Sequence, residues 1–530
     1  MIDRRSDNSL TIDNYTRRWT RKDIRTQYHM PFGQSYHAAN DKYSAEWRLD
    51  IGLFEKVFDI LRVPDEVLLE IFYFYLYLRE EFETFEELGM GNWITLAHVC
   101  RRWRSVVFQS PLRLNLRIAC TLRTPARATL DIWPPFPLTI RDFDHTSSVK
   151  APDHVDNIIA ALEHRDRVCR IDLINLTSSK LEYVTDSAMQ KPFPELTELR
   201  LSTIDKTGTI LPDSFLGGSA PRLRSLVLYD IPFLGLPKLL LSATHLVILE
   251  LLNIPPSGCI PPAAMVTSLS LLTRLEFLHL RFRYPRHRPA LQTRRLPPSP
   301  PTRSIIPSLT KIQFKGSSEY LEEILARIDA PRLSKLRIAF FNQIIFDTPQ
   351  LVHFIGRSPT LRAPKKAHID FNSEAIIVNS PSQTSVYGAF SVEILCRASE
   401  WQLSSLEQVC TSFLPLLSTL EDLYFLTDRV NPPRQDRIEN TVWLELLQSF
   451  ASVKNLYLCM KSVPRIVPPL QELSGGRTTE VLPTLQNIFL EGVEPPGPVP
   501  RGIEKFAVAR RLSGHLVAVS HRRIEEFHHW

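Results

Sequence analysis

The stretch Leu223-Arg224-Ser225-Leu226-Val227-Leu228, followed by Leu246-Val247-Ile248-Leu249-Glu250-Leu251, decides how most of this 530-residue chain folds. Written L-x-x-L-x-L, the element ends in two apolar residues one apart, the period at which strand side chains return to the same face. Those two residues face a core, and the residue between them faces away. The spacing recurs at Leu196/Leu199/Leu201, Leu275/Leu278/Leu280, Leu309/Ile312/Phe314, Leu333/Leu336/Ile338, Leu420/Leu423/Phe425, Val453/Leu456/Leu458 and Leu485/Ile488/Leu490, with a weaker copy at Ile369/Phe371.

The early copies repeat every 23 to 34 residues, enough for a strand and a helical or irregular return. On these residues the region resembles a leucine-rich-repeat solenoid. The resemblance implies parallel strands on a concave face, with each repeat completing its core against the next. Where that family often places an Asn ladder, three residues beyond the last leucine, this chain has Leu176, Ile204, Ile231 and Ile254. Without amides bonding adjacent turns, uneven curvature is expected.

Upstream, Leu112, Leu114, Leu116 and Ile118 alternate with polar or small residues and predict a strand. Thr124-Pro125 opens a short helix, and Phe136 to Ile140 and Ile171 to Leu173 read as further strands. Val155, Ile158, Ile159 and Leu162 mark a helix between them. From Tyr284 to Pro307 seven prolines mix with arginines, the composition of an exposed loop, and Arg294-x-Leu296-Pro297-Pro298-x-Pro300 matches a Src-homology-3 ligand. Such short matches are common, and a bland basic insertion is the better reading of that segment. Residues 364 to 404 carry little pattern beyond a strand at Ser391 to Cys396. Near the end, Ile503, Phe506, Val508 and Ala509 have helical spacing.

A second kind of element precedes all of this. Val63-Pro64-Asp65-Glu66 is a helix start, with proline where its missing N–H is not needed and carboxylates at the positive end of the macrodipole. The residues Val67 to Leu78 that follow are apolar or aromatic on every side except at Glu70. Such a helix must be covered on two sides. Leu96, Val99, Cys100, Trp103 and Val107 recur at helical spacing after Asn92, predicting a second helix that ends at Ser110-Pro111. Two helices this small leave apolar surface for another partner, or for the rest of the chain.

Pro64-x-Glu66-Val67-Leu68-x-x-Ile71-Phe72, Leu96-x-x-Val99-Cys100-Arg101-Arg102-Trp103 and Ser110-Pro111 together resemble an F-box, particularly those abundant in fungi. The resemblance implies docking on the Skp-type adaptor of a cullin-RING ubiquitin ligase, with the remainder of the chain choosing a protein client. By that resemblance the adaptor contacts are sought among Pro64, Glu66, Val67, Leu68, Ile71, Phe72, Leu96, Val99, Cys100 and Trp103. Two departures stand out. Val63 replaces the usual leucine, and Arg79 to Gly91 is a long insertion carrying Glu80, Glu81, Glu83, Glu86 and Glu87.

The expected class is therefore α/β, a small all-α F-box module followed by an irregular leucine-rich-repeat solenoid. The expected division is a poorly ordered arm at 1–55, the F-box at 56–117 and the solenoid at 118–505, with its insertion at 284–307. Residues 506–530 form a cap or tail.

Composition narrows the function. With 63 basic and 57 acidic side chains the net charge is +6, small for this length, which speaks against a dedicated nucleic-acid protein. Seven cysteines without short paired spacings point to reduced thiols rather than disulfides or structural zinc. The N-terminus has no apolar signal region, and the longest apolar run, Leu239 to Leu252, contains His245 and Glu250. A cytoplasmic or nuclear location follows, with no membrane partner. No phosphate-cradling loop, nucleophile elbow or zinc-protease signature occurs, so no catalytic residue, metal ligand or cofactor is assigned.

The residues between core leucines form one outer stripe, read as Arg200, Val227, Glu250, His279, Gln313, Arg337, Asp370, Tyr424, Tyr457 and Phe489. Its last three members are aromatic. Exposed aromatics are typical interface anchors, so Tyr424, Tyr457 and Phe489, with Arg337 and Asp370, are the candidate client contacts. A C-terminal cap near Phe506 is the alternative occupant of that end. The F-box resemblance thus implies a non-catalytic substrate-recognition subunit of an SCF-type ligase. A scaffold using the adaptor outside a ligase, or more weakly a nucleic-acid binder, are the alternatives.

Overall fold

The computed structural model describes residues 63–82, 92–142, 155–205, 209–283, 303–341, 346–361, 364–371, 375–382, 385–395, 399–412, 417–427, 437–459, 461–473, 475–492 and 498–522. The N-terminal arm, the Src-homology-3 match and most of the acidic insertion lie outside them. The chain divides into two units, Met1–Glu198 and Leu199–Trp530.

The first unit begins with three helices, α1 (Asp65–Phe82), α2 (Asn92–Val99) and α3 (Arg101–Gln109). The single second helix expected from apolar spacing is thus two. Cys100 breaks it by adopting an extended backbone, φ −156° and ψ 172°, and its Sγ accepts the Trp103 N–H at 3.4 Å to cap α3. Helix α1 also runs through Arg79 to Phe82, so the insertion begins as helix. The strand expected over Leu112 to Ile118 is instead a set of turns that closes with Leu116 N–H on Pro111 O, and Asn115 is left-handed. Leu114 and Leu116 are still buried, so the alternation marked burial without a ladder. Then come β1 (Ile118–Cys120), α4 (Ala126–Thr129), β2 (Leu138–Arg141), α5 (Val155–Glu163), β3 (Val168–Leu176) and α6 (Ser178–Ala188). Strands β1, β2 and β3 pair in parallel. Arg167 holds the return between α4 and β2 by donating to the carbonyls of Leu130, Pro134 and Phe136.

The second unit is a stack of strands and returns. It runs β4 (Glu198–Thr203), β5 (Ser225–Tyr229), α7 (Leu236–Ser242), β6 (Ile248–Ile254), α8 (Pro262–Leu269), β7 (Phe277–Phe282), β8 (Ser304–Ile305), β9 (Lys311–Gly316), α9 (Ser318–Leu325), β10 (Ile328–Asp329), β11 (Lys335–Phe340) and α10 (Pro349–Arg357). It continues with β12 (Lys366–Phe371), β13 (Ala375–Ser382), β14 (Ser385–Leu395), α11 (Ser399–Ser412), β15 (Asp422–Thr427), α12 (Arg437–Gln448), β16 (Asn455–Cys459), α13 (Val463–Glu472), β17 (Asn487–Glu491), α14 (Arg501–Leu512) and β18 (Ala518–Arg522).

One backbone device repeats at eight rungs of this unit. The first residue of each copy, Leu223, Leu246, Leu275, Leu309, Leu333, Leu420, Val453 and Leu485, donates its N–H to the carbonyl three residues back. Each of these side chains is buried, closing the turn that feeds the next strand. Strand entry is equally regular, since one carbonyl of a rung accepts two successive N–H groups of the next, as Glu276 O does from Thr310 and Lys311. Repeated use of one turn is what stacks the strands in parallel register.

The order along the sheet here is β4-β5-β6-β7-β9-β11-β14-β13-β12-β15-β16-β17-β18. Not every strand is parallel. The weakly patterned block is an antiparallel meander in which β13 pairs with both β14 and β12. Because the meander has three strands, its outer two still run parallel to β11 and β15. The proline-rich insertion also ends earlier than expected, with β8 pairing β10. Among the helices, α10 is capped by Glu322 of α9, whose two carboxylate oxygens accept the N–H groups of Gln350 at 2.7 Å and Leu351 at 2.8 Å. Burial pushes that carboxyl up to about 7. At the C-terminal end, fully buried Arg510 of α14 donates to the carbonyls of Thr478, Val481, Leu482 and Pro483.

Candidate functional site

Helix α1 separates the residues expected at one docking surface into two sets. Leu68, Leu69 and Phe72 lie on one stripe and are buried, and Phe72 packs on the Trp103 ring at 4.7 Å between centroids. Val67, Ile71 and Phe74 repeat at four and three residues on the opposite stripe and are about half exposed, at 48%, 45% and 55%. Tyr73 and Tyr75 flank that stripe and are also exposed. From α2, Leu96 is buried whereas Val99 is 56% exposed. Pro64 and Glu66 are exposed at the helix start, where Pro64 O accepts the N–H groups of Val67 and Leu68.

Other contacts hold this module rigid. Arg102 donates to Asp65 Oδ1 at 2.8 Å and to the Val63 carbonyl, tying α3 to the start of α1, and Arg104 donates to Ala97 O at 3.0 Å. Buried Trp93, which sequence reasoning passed over, donates its indole N–H to Arg117 O at 3.0 Å. Its ring packs edge-on to Phe108 and Phe136 at 6.0 and 5.6 Å. Leu68, Phe72, Leu96, Cys100 and Trp103 therefore build the module, whereas Val67, Ile71 and Val99 present it. Phe74 belongs with the second group and was legible as the next helical step after Ile71.

The stripe between core leucines is real in the second unit but its membership differs at one place. In register the column reads Val227, Glu250, His279, Gln313, Arg337, Ser391, Asn379, His368, Tyr424, Tyr457, Phe489 and Ser520. Asp370 is not in it. Strand β12 sits two residues out from the reading of Ile369/Phe371, so that Ala367 and Ile369 fill the core positions and His368 faces Tyr424. Asp370 lies one step along the same face, opposite Ile377 and Leu426.

Tyr424 and Tyr457, expected to be exposed, are buried at 6% and 7%, while Phe489 is half-buried. Helix α14 places Phe506 in the core, and the rings cover one another. Tyr424 stacks on Tyr457 at 4.0 Å and 5°, Tyr457 on Phe489 at 4.7 Å and 18°, and His368 on Tyr424 at 4.4 Å. Burial, with Lys366 adding to it, lowers the His368 pKa to about 4, so the ring is neutral at physiological pH. Burial likewise raises the Tyr424 hydroxyl.

An amide ladder runs beside the rings. Asn455 donates to Asp422 Oδ1 at 2.7 Å and Asn487 to Asn455 Oδ1 at 2.8 Å, one rung to the next. Earlier in the array Asn253 and Arg283 both donate to Asp230 Oδ1, with Asp230 and Asn253 left-handed. Adjacent turns are thus bonded through side chains, Arg283 at the third position beyond the last leucine of its copy and the others elsewhere in theirs. Among the described residues no group of three or more His, Cys, Asp or Glu is placed to hold a metal ion, and no helix is long and apolar enough to cross a membrane.

With the geometry in place, comparison with known proteins gives one family. Residues 60–117 match the model of the F-box-like family, and this segment is an F-box-like domain. F-box domains generally bind Skp-type adaptors, and both F-box and leucine-rich-repeat families are generally non-catalytic. No curated protein matches the chain. Among solved structures it is similar to the leucine-rich repeat-containing protein LegL7 from Legionella pneumophila, at 14% identity and a TM-score of 0.22, over 75% of this chain and 98% of that one. The recurring turn and the parallel register, rather than that likeness, carry the assignment of the second unit as a leucine-rich-repeat-like array.

Proposed function

We propose that this chain is the substrate-recognition subunit of an SCF-type cullin-RING ubiquitin ligase, working in the cytoplasm or nucleus. Its F-box docks a Skp-type adaptor through Val67, Ile71 and Phe74 of α1 and Val99 of α2. The outer face of the array holds a protein client on the strands around Arg337, since Tyr424 and Tyr457, buried against each other, present little surface of their own. Chemistry is supplied by a separate conjugating enzyme, and this chain contributes proximity.

The observation that carries this reading is the α1 stripe. Three large apolar side chains stand half-exposed on a helix whose other stripe is fully packed and whose start is fixed by Arg102. An apolar stripe of that kind on a rigid helix is the signature of a helix-in-groove contact. Full-length chain co-expressed with the adaptor and a cullin tests it. The wild type is expected to co-purify with both, and an Ile71→Asp/Phe74→Ser variant to lose both while melting as before. Failure of the wild type to retain the adaptor, or its retention by the variant, overturns the reading. Adaptor without cullin would mark a scaffold outside a ligase.

A further inference from the structure

Strands β7, β9 and β11 are neighbours, and their outer-face positions are Phe277, His279 and Arg281, then Lys311, Gln313 and Lys315, then Lys335, Arg337 and Ala339. In register Lys311 stands directly opposite Lys335, and Arg281 directly opposite Lys315. Neighbouring strands lie about 4.8 Å apart, and like charges directly opposite each other oppose sheet formation. The core asks only for apolar residues at Ile312, Phe314, Leu336 and Ile338; it places no demand on the intervening residues. Charge has nonetheless accumulated here against the interest of the fold. The Lys311 ammonium lies 4.2 Å from the centre of the Phe277 ring. Its pKa is lowered by burial first, then by Arg337 and Lys335, with Glu250 alone acting in the other direction.

We infer that the outer face of β7, β9 and β11 is a docking site for an extended acidic peptide segment of a protein client. The inference rests on reading the array as a client receptor and assigns the chemistry of part of its surface. Cations two residues apart on a strand are about 6.6 Å apart, the spacing of alternate side chains in an extended peptide. Carboxylates two positions apart can therefore meet Lys335 and Arg337 on β11, with Lys311 facing them from the next strand. The patch is also bounded. On one side Glu250 accepts from or pairs with His279 at 3.3 Å, and on the other Glu393 of β14 stands opposite Ala339. A cationic region three strands wide and closed by carboxylates suits a short acidic run. A nucleic-acid strand carries its charge beyond both edges and meets those carboxylates.

Fluorescence anisotropy on the full chain tests this, using a labelled peptide of alternating Glu and Ser, with a single-stranded oligonucleotide of the same length for comparison. The peptide is expected to bind the wild type with an affinity that weakens with salt. Lys311→Thr/Lys335→Thr is expected to weaken it by about tenfold or more, without lowering the melting temperature and with adaptor co-purification intact. Should that variant melt lower, Lys311→Glu/Lys335→Glu decides, because it must reject the Glu peptide and accept its Lys counterpart. The inference is overturned if the wild type ignores the peptide, if both substitutions leave binding unchanged, or if the oligonucleotide binds more tightly. Loss of the adaptor by the wild type would instead count against the ligase reading, since peptide binding does not depend on it.

Discussion

The outer face of the array has two halves built on the same rungs and opposite in character. Around β15, β16 and β17, the rings and the first-position polar groups on that face are satisfied by neighbours on the next strand, ring on ring at 4.0 and 4.7 Å, amide on carboxylate at 2.7 Å and amide on amide at 2.8 Å. Around β7, β9 and β11, neighbours repel, with Lys311 opposite Lys335 and Arg281 opposite Lys315. Cross-strand pairs are the unit of sheet stabilisation, so the first half adds to the stability of the array and the second subtracts from it. What the second half keeps, at the directly opposed Lys311 and Lys335, is positive charge that can attract something arriving from outside. The aromatic half presents less than the sequence suggested, because its two tyrosines hide each other.

The sharpest way to break this contrast is to remove the middle ring. Tyr457→Ala deletes both stacking contacts and leaves a gap between Tyr424 and Phe489, a loss of about 4 kcal/mol for a buried aromatic. Urea unfolding of the full chain measures it. A change below about 1 kcal/mol would mean that the rings merely coexist, and that the aromatic half is as available for binding as the cationic one.

A second test uses pH. His368 at the edge of the ring stack is held near 4, below its ordinary value of 6.5. A depressed pKa means that the unfolded chain takes up the proton first, so this contribution is intact above pH 6.5 and is lost as pH falls toward 4. Between pH 7 and pH 5 the expected loss is about 2 kcal/mol. Glu322, raised to about 7, acts in the opposite sense, with its contribution lost as pH rises from 4.5 through 7. The two overlap, so the measurement is the difference between wild type and His368→Phe, which keeps a ring beside Tyr424 and cannot titrate. Parallel pH profiles for the two proteins would show that His368 is solvated after all.

Much of this fold could be read from leucine spacing, because a residue pattern with period two leaves few alternatives for which face is buried. Register was harder. Slipping β12 by two residues keeps every side chain on its face, and small Ala367 does not look like a core residue beside Ile369 and Phe371. Hence Asp370 was placed where His368 stands. The Cys100 break was invisible to apolar spacing, since a residue can cap a helix while keeping its place in the sequence pattern. The ladder of Asp422, Asn455 and Asn487 was missed because it sits just before the second apolar residue of each copy, at the strand's first position. On α1 the sequence announced surplus apolar surface, but which of twelve neighbouring residues faced outward depended on where α3 packs.

The smallest effect has the most informative sign. Lys335→Thr removes one member of a directly opposed pair and installs a β-branched residue suited to a strand, so stability should rise by about 0.5 kcal/mol. Asn455→Thr, the corresponding change of a strand's first residue in the other half, should lower it by about 1 kcal/mol, because Asp422 Oδ1 and the Asn487 amide both lose a partner. Measured side by side in urea, the two substitutions must differ in sign. If Lys335→Thr also destabilises, then Lys335 is held by contacts that outweigh its repulsion from Lys311. The cationic half would then be part of the scaffold like the aromatic half, and the contrast between a self-satisfied face and one awaiting a partner would fail.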